Sequence, residues 1–490
     1  MSSADWVKNT GIELRPDPSR VITRLFVPGW EDVGPGDSRA APVIGRILAL
    51  AEADVDAALA DVDVRFGDRH HDLHASFECH ATVVMPRIDP AVELSVNRRL
   101  LLGACFTNER AIEAAALCNP SAVLHPVQPT DGSVAFILSV RGISEGHRSS
   151  IGFRTGNVTA EGELTLDVAG PFPATTSVVD GPNHRAVFHA KLYALDDDRE
   201  NAAFVLDELP EHFSDADLEV RLEVLAAGAE TRKHTATTIE HLRELARSSY
   251  SLTFPETLQV SERVLWPNCP AERQGMEDAR FVRFTDDDGA VAYYGTYTAF
   301  DGVHIAQHVL VTTDFLSFAA SPMSGAGAVG KGLALFPRKV NGRYAALSRS
   351  DRETNAIAFS DDIRCWMDTQ LIQSPTQPWE ILQLGNCGSP IETERGWLVL
   401  THGVGALRTY AIGAILLDLD DPSRVIAVTL QPILWPGFDQ RDGYVPNVMY
   451  SCGGFTHGDV LVLPYGVGDQ TIAFATMSIT TLLDSMTVTR

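Results

Sequence analysis

Basic residues are scarce in this chain: 39 Lys and Arg stand against 64 Asp and Glu in 490 residues, a formal charge of −25. Such a surface repels nucleic-acid backbones and anionic membrane faces, so neither is expected as a partner. The seven cysteines (79, 105, 118, 269, 365, 387 and 452) are scattered and never form a CxxC pair. That excludes a disulfide framework and a clustered zinc site as readings of the pattern. No apolar run approaches the about 18 residues of a membrane span, and the opening Met-Ser-Ser-Ala-Asp-Trp lacks the basic stretch and apolar run of a secretory signal. A cytoplasmic protein is expected. The glycine-rich MSGAGAVGKG lacks the full phosphate-loop pattern, and no HExxH occurs. His70, His71 and His74 sit in an irregular stretch without a ligand array, so no metal is expected.

What is present divides along the chain. Residues 43–66 place Ile47, Leu48, Leu50, Ala51, Val55, Ala58 and Leu59 at three- and four-residue spacings, which predicts an amphipathic helix. Residues 90–118 continue in helical register up to Asn119-Pro120, a boundary because the residue before proline avoids the helical region. From residue 122 the pattern turns to short apolar or alternating runs between Gly, Asp and Pro, the signature of a sandwich, barrel or propeller. Residues 160–250 interrupt it with helical stretches, ADLEVRLEVLAAGA and TTIEHLRELARSSY. A coarse repeat of about 50 residues favours the propeller. Its markers are Thr312-Thr313-Asp314-Phe315, Ser360-Asp361-Asp362 with Trp366, and Leu417-Asp418 with Asp420-Asp421-Pro422.

Chemistry-bearing residues fall in a few places. In GMEDARFVRF, strand alternation sends Glu277 and Ala279 to one side and Asp278 and Arg280 to the other. A carboxylate beside a guanidinium stays ionised and oriented, as a proton-transfer group or sugar clamp requires; the same residues also read as an ion pair at a strand start. Lys331, Arg338, Lys339, Arg349 and Arg352 gather five cations in an acidic protein, which suits a phosphate or, equally, solvated turns. His402 follows the apolar GWLVL at a strand end, where both sites and hydrogen-bonded structural histidines occur. Tyr293, Tyr294, Tyr297, Phe300 and Trp379 are candidates for a sugar-stacking platform.

Read in order, GMEDARFVRF, YYGTYTAFDG, KGLALFPRKVNGRYAALSRSD, SDDIRCW, GNCGSPIETERGWLVLTHGV, YAIGAILLDLDDPSRVI, GYVPNVMYSCGG and LPYGVGD resemble glycoside hydrolase family 130, the β-mannoside phosphorylases. An earlier stretch, from Asn119-Pro120 to Ile151, looks like that family's first blade. The resemblance implies a mainly β protein: a five-bladed β-propeller catalytic domain over 119–490, interrupted by an α/β insertion at 160–250. A mostly helical region, 1–118, precedes it. It further implies cleavage of β-mannosidic bonds by inorganic phosphate with inversion, giving α-mannose 1-phosphate, the reaction being reversible.

In that family the aspartate of the EDxR motif is the general acid, acting in some members through a sugar hydroxyl; here it is Asp278. Lys331 and Arg349 match phosphate-binding cations, His402 a third phosphate contact, and Arg141 and Asp469 the mannose pocket. Glu277, Arg280, Tyr297, Asp301 and Asn386 join the expected sugar-binding set. The implied partners are a β-mannoside oligosaccharide and phosphate as co-substrate. No other cofactor and no metal are implied, and homo-oligomerisation is left open. Phosphate is already a nucleophile at neutral pH, so a second carboxylate acting as base is dispensable. Usual members lack the N-terminal region and the insertion. Glu392, close to where the resemblance to some phosphorylases implies a basic residue, would repel phosphate or activate water and keeps an inverting β-mannosidase as an alternative, and a non-catalytic glycan-binding propeller is the third reading.

Overall fold

A computed structural model describes residues 3–28, 39–194, 199–228 and 232–489. The chain forms two compact units, one of Asp17–Ala114 with Gly170–Thr175, the other of Met1–Pro16, Ala115–Ala169 and Thr176–Arg490.

The smaller unit is largely helical. The helix expected over 43–66 is two, Ala40–Leu48 and Glu52–Phe66. Arg98 settles the junction. Its guanidinium donates to the carbonyls of Ile47, Leu48 and Leu50 at and just past the helix end, and pairs with Glu52 at 2.6 Å. The helix expected over 90–118 covers only Val96–Cys105, capped by the Ser95 hydroxyl. Thr107–Ala111 is already a strand, paired with Val21–Leu25. His70 and His74, the histidines of the irregular stretch, pair with Glu109 and Asp63.

The larger unit is mainly β. The Ala116–Leu124, Val134–Ile143, Ser149–Val158 and Leu164–Leu166 strands follow one another in antiparallel order. So do Gly275–Thr285, Val291–Phe300, Ile305–Thr312 and Ser317–Pro322. One parallel pairing, Gly275 with Ser149, joins these two sets into an 11-stranded sheet. Ala334–Leu335 to Gln370–Gln373 make a four-stranded sheet, and Gln383–Asn386, Gly396–Val404, Tyr410–Leu417 and Val425–Val428 the spine of a six-stranded one. A further sheet orders Lys8–Leu14, Thr471–Ser478, Val460–Val467 and Met449–Tyr450. Residues 8–14, expected within the helical region, are therefore a strand of the β unit. They pair with the end of the chain because Ile12 and Leu14 pack into the apolar cluster around Phe136, Phe455 and Phe474.

Each marker of the coarse repeat lies in the turn after the third strand of its set. There Asp314 accepts the Leu316 and Ser317 N–H groups, Asp362 that of Arg364, and Asp418 those of Asp420 and Asp421. Within 160–250 the helices Arg185–Ala194, Arg199–Leu206, Asp215–Ala227 and Thr235–Ala246 bury Leu206, Leu218, Leu222, Leu225 and Leu242 in a core of their own. Among the described residues, no helix is long and apolar enough to cross a membrane.

Candidate active site

Two bulges in neighbouring strands build the site. The pairing of Gly275–Thr285 with Val291–Phe300 slips between Glu277 and Arg280, and Asp278 takes a left-handed backbone, φ 55°. Ala116–Leu124 slips likewise between Cys118 and Ser121, with Asn119 at φ 49°. Non-glycine residues adopt this region at a cost, and only where surrounding structure holds them there. The Phe281 N–H donates to the Ser121 hydroxyl at 3.1 Å, tying one bulge to the other. In consequence the Asn119 amide donates to Asp278 Oδ1.

The bulge also overturns the expected alternation. Glu277 and Asp278 both reach Arg141, whose Nη2 lies 2.7 Å from Glu277 and Nη1 3.0 Å from Asp278. Arg280 instead lies buried beneath, donating to the Cys387 and Asp278 carbonyls and to the Tyr450 hydroxyl. It supports the carboxylate's backbone and is not among the residues that line the cavity described next.

A cavity of about 480 Å³ opens over this pair. Its lining includes Asn119, Arg141, Asp278, Lys331, Arg349, Arg352, His402, Arg408, Tyr410, Tyr450 and Asp469. Five cations thus face two carboxylates in a protein of net charge −25. Lys331 sits between Gly330 and Gly332, both at positive φ, and its ammonium meets Glu277 at 2.7 Å. The Gly330 and Gly332 carbonyls accept from Gln307 and Asn386, so Asn386 holds the lysine loop from behind. Arg349 is 9% exposed, lies in no ion pair among the described residues, and keeps its Nε–H without a partner. Burial lowers its pKa from the ordinary value. His402 is fully buried with both ring nitrogens unpartnered, its ring stacked on Tyr410 (centroids 5.9 Å apart) and edge-on to Tyr450. Burial, then Arg349 and Arg280, push its pKa well below the usual value, so it is a neutral imidazole.

The two carboxylates are tuned apart. Burial would raise Asp278, but Arg141, Lys331, Arg280 and the Asn119 hydrogen bond outweigh it and hold the group well below the carboxylate range. Asp469, at φ 47°, is pushed up to about 6, by burial first and by the nearby Asp278 charge, against Arg141.

Other expected site residues lie elsewhere. Tyr297 is fully buried and donates to Glu272 at 2.5 Å, and Asp301 folds back onto the Val303 and His304 N–H groups in a turn lining a different cavity. Glu392 pairs with Arg338 at 2.6 Å, and Lys339 with Asp286, so of the five sequence cations only Lys331, Arg349 and Arg352 reach the cavity. The stacking platform is not formed by Tyr293 or Trp379. Strand alternation turns Tyr293 into the core, with its hydroxyl donating to the Leu124 carbonyl, and Trp379, in the turn before Gln383–Asn386, is buried against Gly403 and Gly413. Tyr410 and Tyr450 supply the cavity's aromatic surface instead. Sequence reasoning missed both as site residues, along with Arg408 and Asn119. The Asn119-Pro120 pair was the available signal, since a proline within a strand marks a bulge as well as a helix end.

The family model of glycoside hydrolase family 130, described as beta-1,4-mannooligosaccharide phosphorylase, matches residues 232–488. A 1,2-beta-oligomannan phosphorylase of Thermoanaerobacter sp. (strain X514) is 36% identical over 225 residues, 44% of this chain and 73% of that protein. A beta-1,2-mannobiose phosphorylase of Listeria innocua serovar 6a is 32% identical over 233 residues, 46% of this chain and 63% of that one. Among solved structures, the beta-1,2-mannobiose phosphorylase from Listeria innocua in complex with beta-1,2-mannobiose aligns with 21% identity and a TM-score of 0.43, over 77% of this chain and 92% of that one. With more than half of its residues inside the family match, this chain belongs to glycoside hydrolase family 130.

Proposed function

We propose that the chain catalyses inverting phosphorolysis of β-mannosides to α-mannose 1-phosphate, reversibly, in the cytoplasm, on a five-bladed β-propeller. Five successive antiparallel strand sets support the propeller. The observation that carries the chemistry is Arg349, a buried guanidinium without a carboxylate partner, next to His402 with two free ring nitrogens, in the cavity that holds Asp278. Buried charges are ordinarily paired, and donors left without partners suit an anionic ligand.

In this reading Arg349, Lys331 and His402 hold phosphate against the anomeric carbon, on the face opposite the leaving sugar. The phosphate oxygen forms the new bond as the glycosidic bond breaks, and a β-linkage yields an α-phosphate. Asp278 supplies the proton to the departing oxygen, directly or through a sugar hydroxyl. In the free site it is anionic. A phosphate dianion entering the same cationic field cancels part of the positive charge that holds its pKa down, so Asp278 gains proton affinity as substrates assemble. Arg141, Asp469 and Asn119 orient the mannosyl ring. Glu392, the candidate for water activation, pairs with Arg338 away from the cavity lining, so no observation favours hydrolysis.

The test is incubation with β-1,2- and β-1,4-mannosides with and without phosphate. Mannose 1-phosphate of α configuration, formed only with phosphate, is expected. Free mannose released at the same rate without phosphate would overturn the proposal.

A further inference from the structure

A second cavity, of about 360 Å³, lies on the other face of the Val291–Phe300/Ile305–Thr312 hairpin. Alternation along the second strand makes the division: Ile305 lines the first cavity, Ala306 and His308 the second. Val303, in the turn between the strands, lines both and is 80% exposed, an apolar crest between the two spaces. The opposite wall comes from the insertion, through Lys191 on Arg185–Ala194 and His241 and Glu244 on Thr235–Ala246. Lys191 lies outside the family match at 232–488, and His241 and Glu244 lie inside it.

The lining differs in kind from that of the first cavity. Lys191 and Arg273 are balanced by Glu244 and Asp301, where the first cavity has five cations against two carboxylates. Burial lowers Lys191 to about 8, and burial with the Lys191 charge lowers His308 to about 3, leaving a neutral imidazole. Balanced charge, neutral donors and acceptors and apolar floor suit an uncharged polyol rather than an anion.

We propose that this cavity is a subsite for the acceptor side of a β-mannooligosaccharide, taking sugars beyond the one next to the cleaved bond, with the chain crossing Val303. The proposal rests on the phosphorylase reading, since it needs the terminal mannose in the first cavity and the leaving chain directed outward. The insertion then sets a preference for longer substrates.

Phosphorolysis of β-mannobiose and β-mannotetraose by the full chain tests it, with Glu244→Ala and His241→Ala as variants. The wild type is expected to favour the tetraose. Each variant is expected to raise KM for the tetraose about ten-fold, the loss of one or two directed hydrogen bonds, while kcat and the biose KM stay within about two-fold. Equal effects on both lengths, or none on either, overturn the proposal. Should no β-mannoside be phosphorolysed, the proposed function fails, and calorimetry with β-mannotetraose decides the subsite separately. Binding weakened about ten-fold by Glu244→Ala supports it, and absent or unchanged binding overturns it.

Discussion

Asp278 and Asp469 share one cavity and respond to it in opposite directions, and the difference has consequences for pH. The folded pKa of Asp469 is about 6, against an ordinary 3.8. The fold therefore holds its proton more tightly than the unfolded chain does. Stability from this group is fully present below pH 3.8 and is lost as pH rises toward 6. Asp469→Asn is expected to raise the stability near pH 7.5 by up to about 3 kcal/mol, seen as a higher melting temperature, with the gain fading toward pH 4. Thermal melts across that range check it, and a gain that grows toward acid would refute the assignment. Asp278 has the opposite sign: its ionised form is favoured by the fold, so its contribution is present at neutral pH and fades below pH 3.8. Replacing it by Asn removes the proton donor and is expected to lower kcat by about 10³-fold, a typical share for general acid catalysis, with the fold intact by circular dichroism.

Gly385 tests the phosphate side. A Cβ there would lie 2.1 Å from Arg349 Nε and 2.2 Å from its Cδ, so Gly385→Ala must displace the guanidinium. The expected result in initial-rate kinetics is a phosphate KM raised about ten-fold or more, with the mannoside KM much less affected. Asp278, Lys331, Arg349, His402, Arg141 and Asp469 were legible in the sequence because each stands in a motif, and the structure gathers all six around one cavity. Tyr297 and Asp301 were not separable from them, since the motif text does not show which face of a hairpin turns toward the cavity. Arg280 and Asn386 belong to the support behind the wall, a distinction that depends on bulges and loop contacts rather than on residue type.

At the level of elements, the sequence announced strands and turns more readily than the irregularities that make the site. The repeat markers were readable because an aspartate capping a turn is a local device: its carboxylate accepts N–H groups two or three residues onward. The two bulges were not, because a strand's register is set by its partner. Ala116–Leu124 is paired on both sides of its bulge, and its Asn-Pro resembles a helix stop when the partner is unseen. The turn device predicts a measurable cost. Asp314→Ala leaves the Leu316 and Ser317 N–H groups without their acceptor and is expected to destabilise the chain by about 1–2 kcal/mol, with smaller effects on turnover because the turn lies away from the cavity lining. Chemical denaturation and kinetics on one preparation distinguish the two effects.

For the molecule as a whole, the strand Lys8–Leu14 has the longest reach. It pairs with Thr471–Ser478, from Lys8 opposite Thr476 to Leu14 opposite Ile472. Just before it Trp6 and Val7 pack on the cluster holding Leu461, Leu463 and Met477, while Ile12 and Leu14 pack on that of Phe136 and Phe474. One short segment thus covers an otherwise open sheet edge and adds apolar area to two cores. A version lacking residues 1–16 loses both contributions. Four part-buried apolar side chains at about 1 kcal/mol or more each amount to several kcal/mol, enough to lower the melting temperature by about 5 °C in a chain of this size. The exposed Thr471–Ser478 edge then offers unpaired N–H and C=O groups to other chains, so aggregation on heating is expected as well, despite the charge of −25. Melting and light scattering of the truncated and full chains decide the point. An unchanged melting temperature would mean that the edge strand contributes nothing to the stability of the sheet it completes.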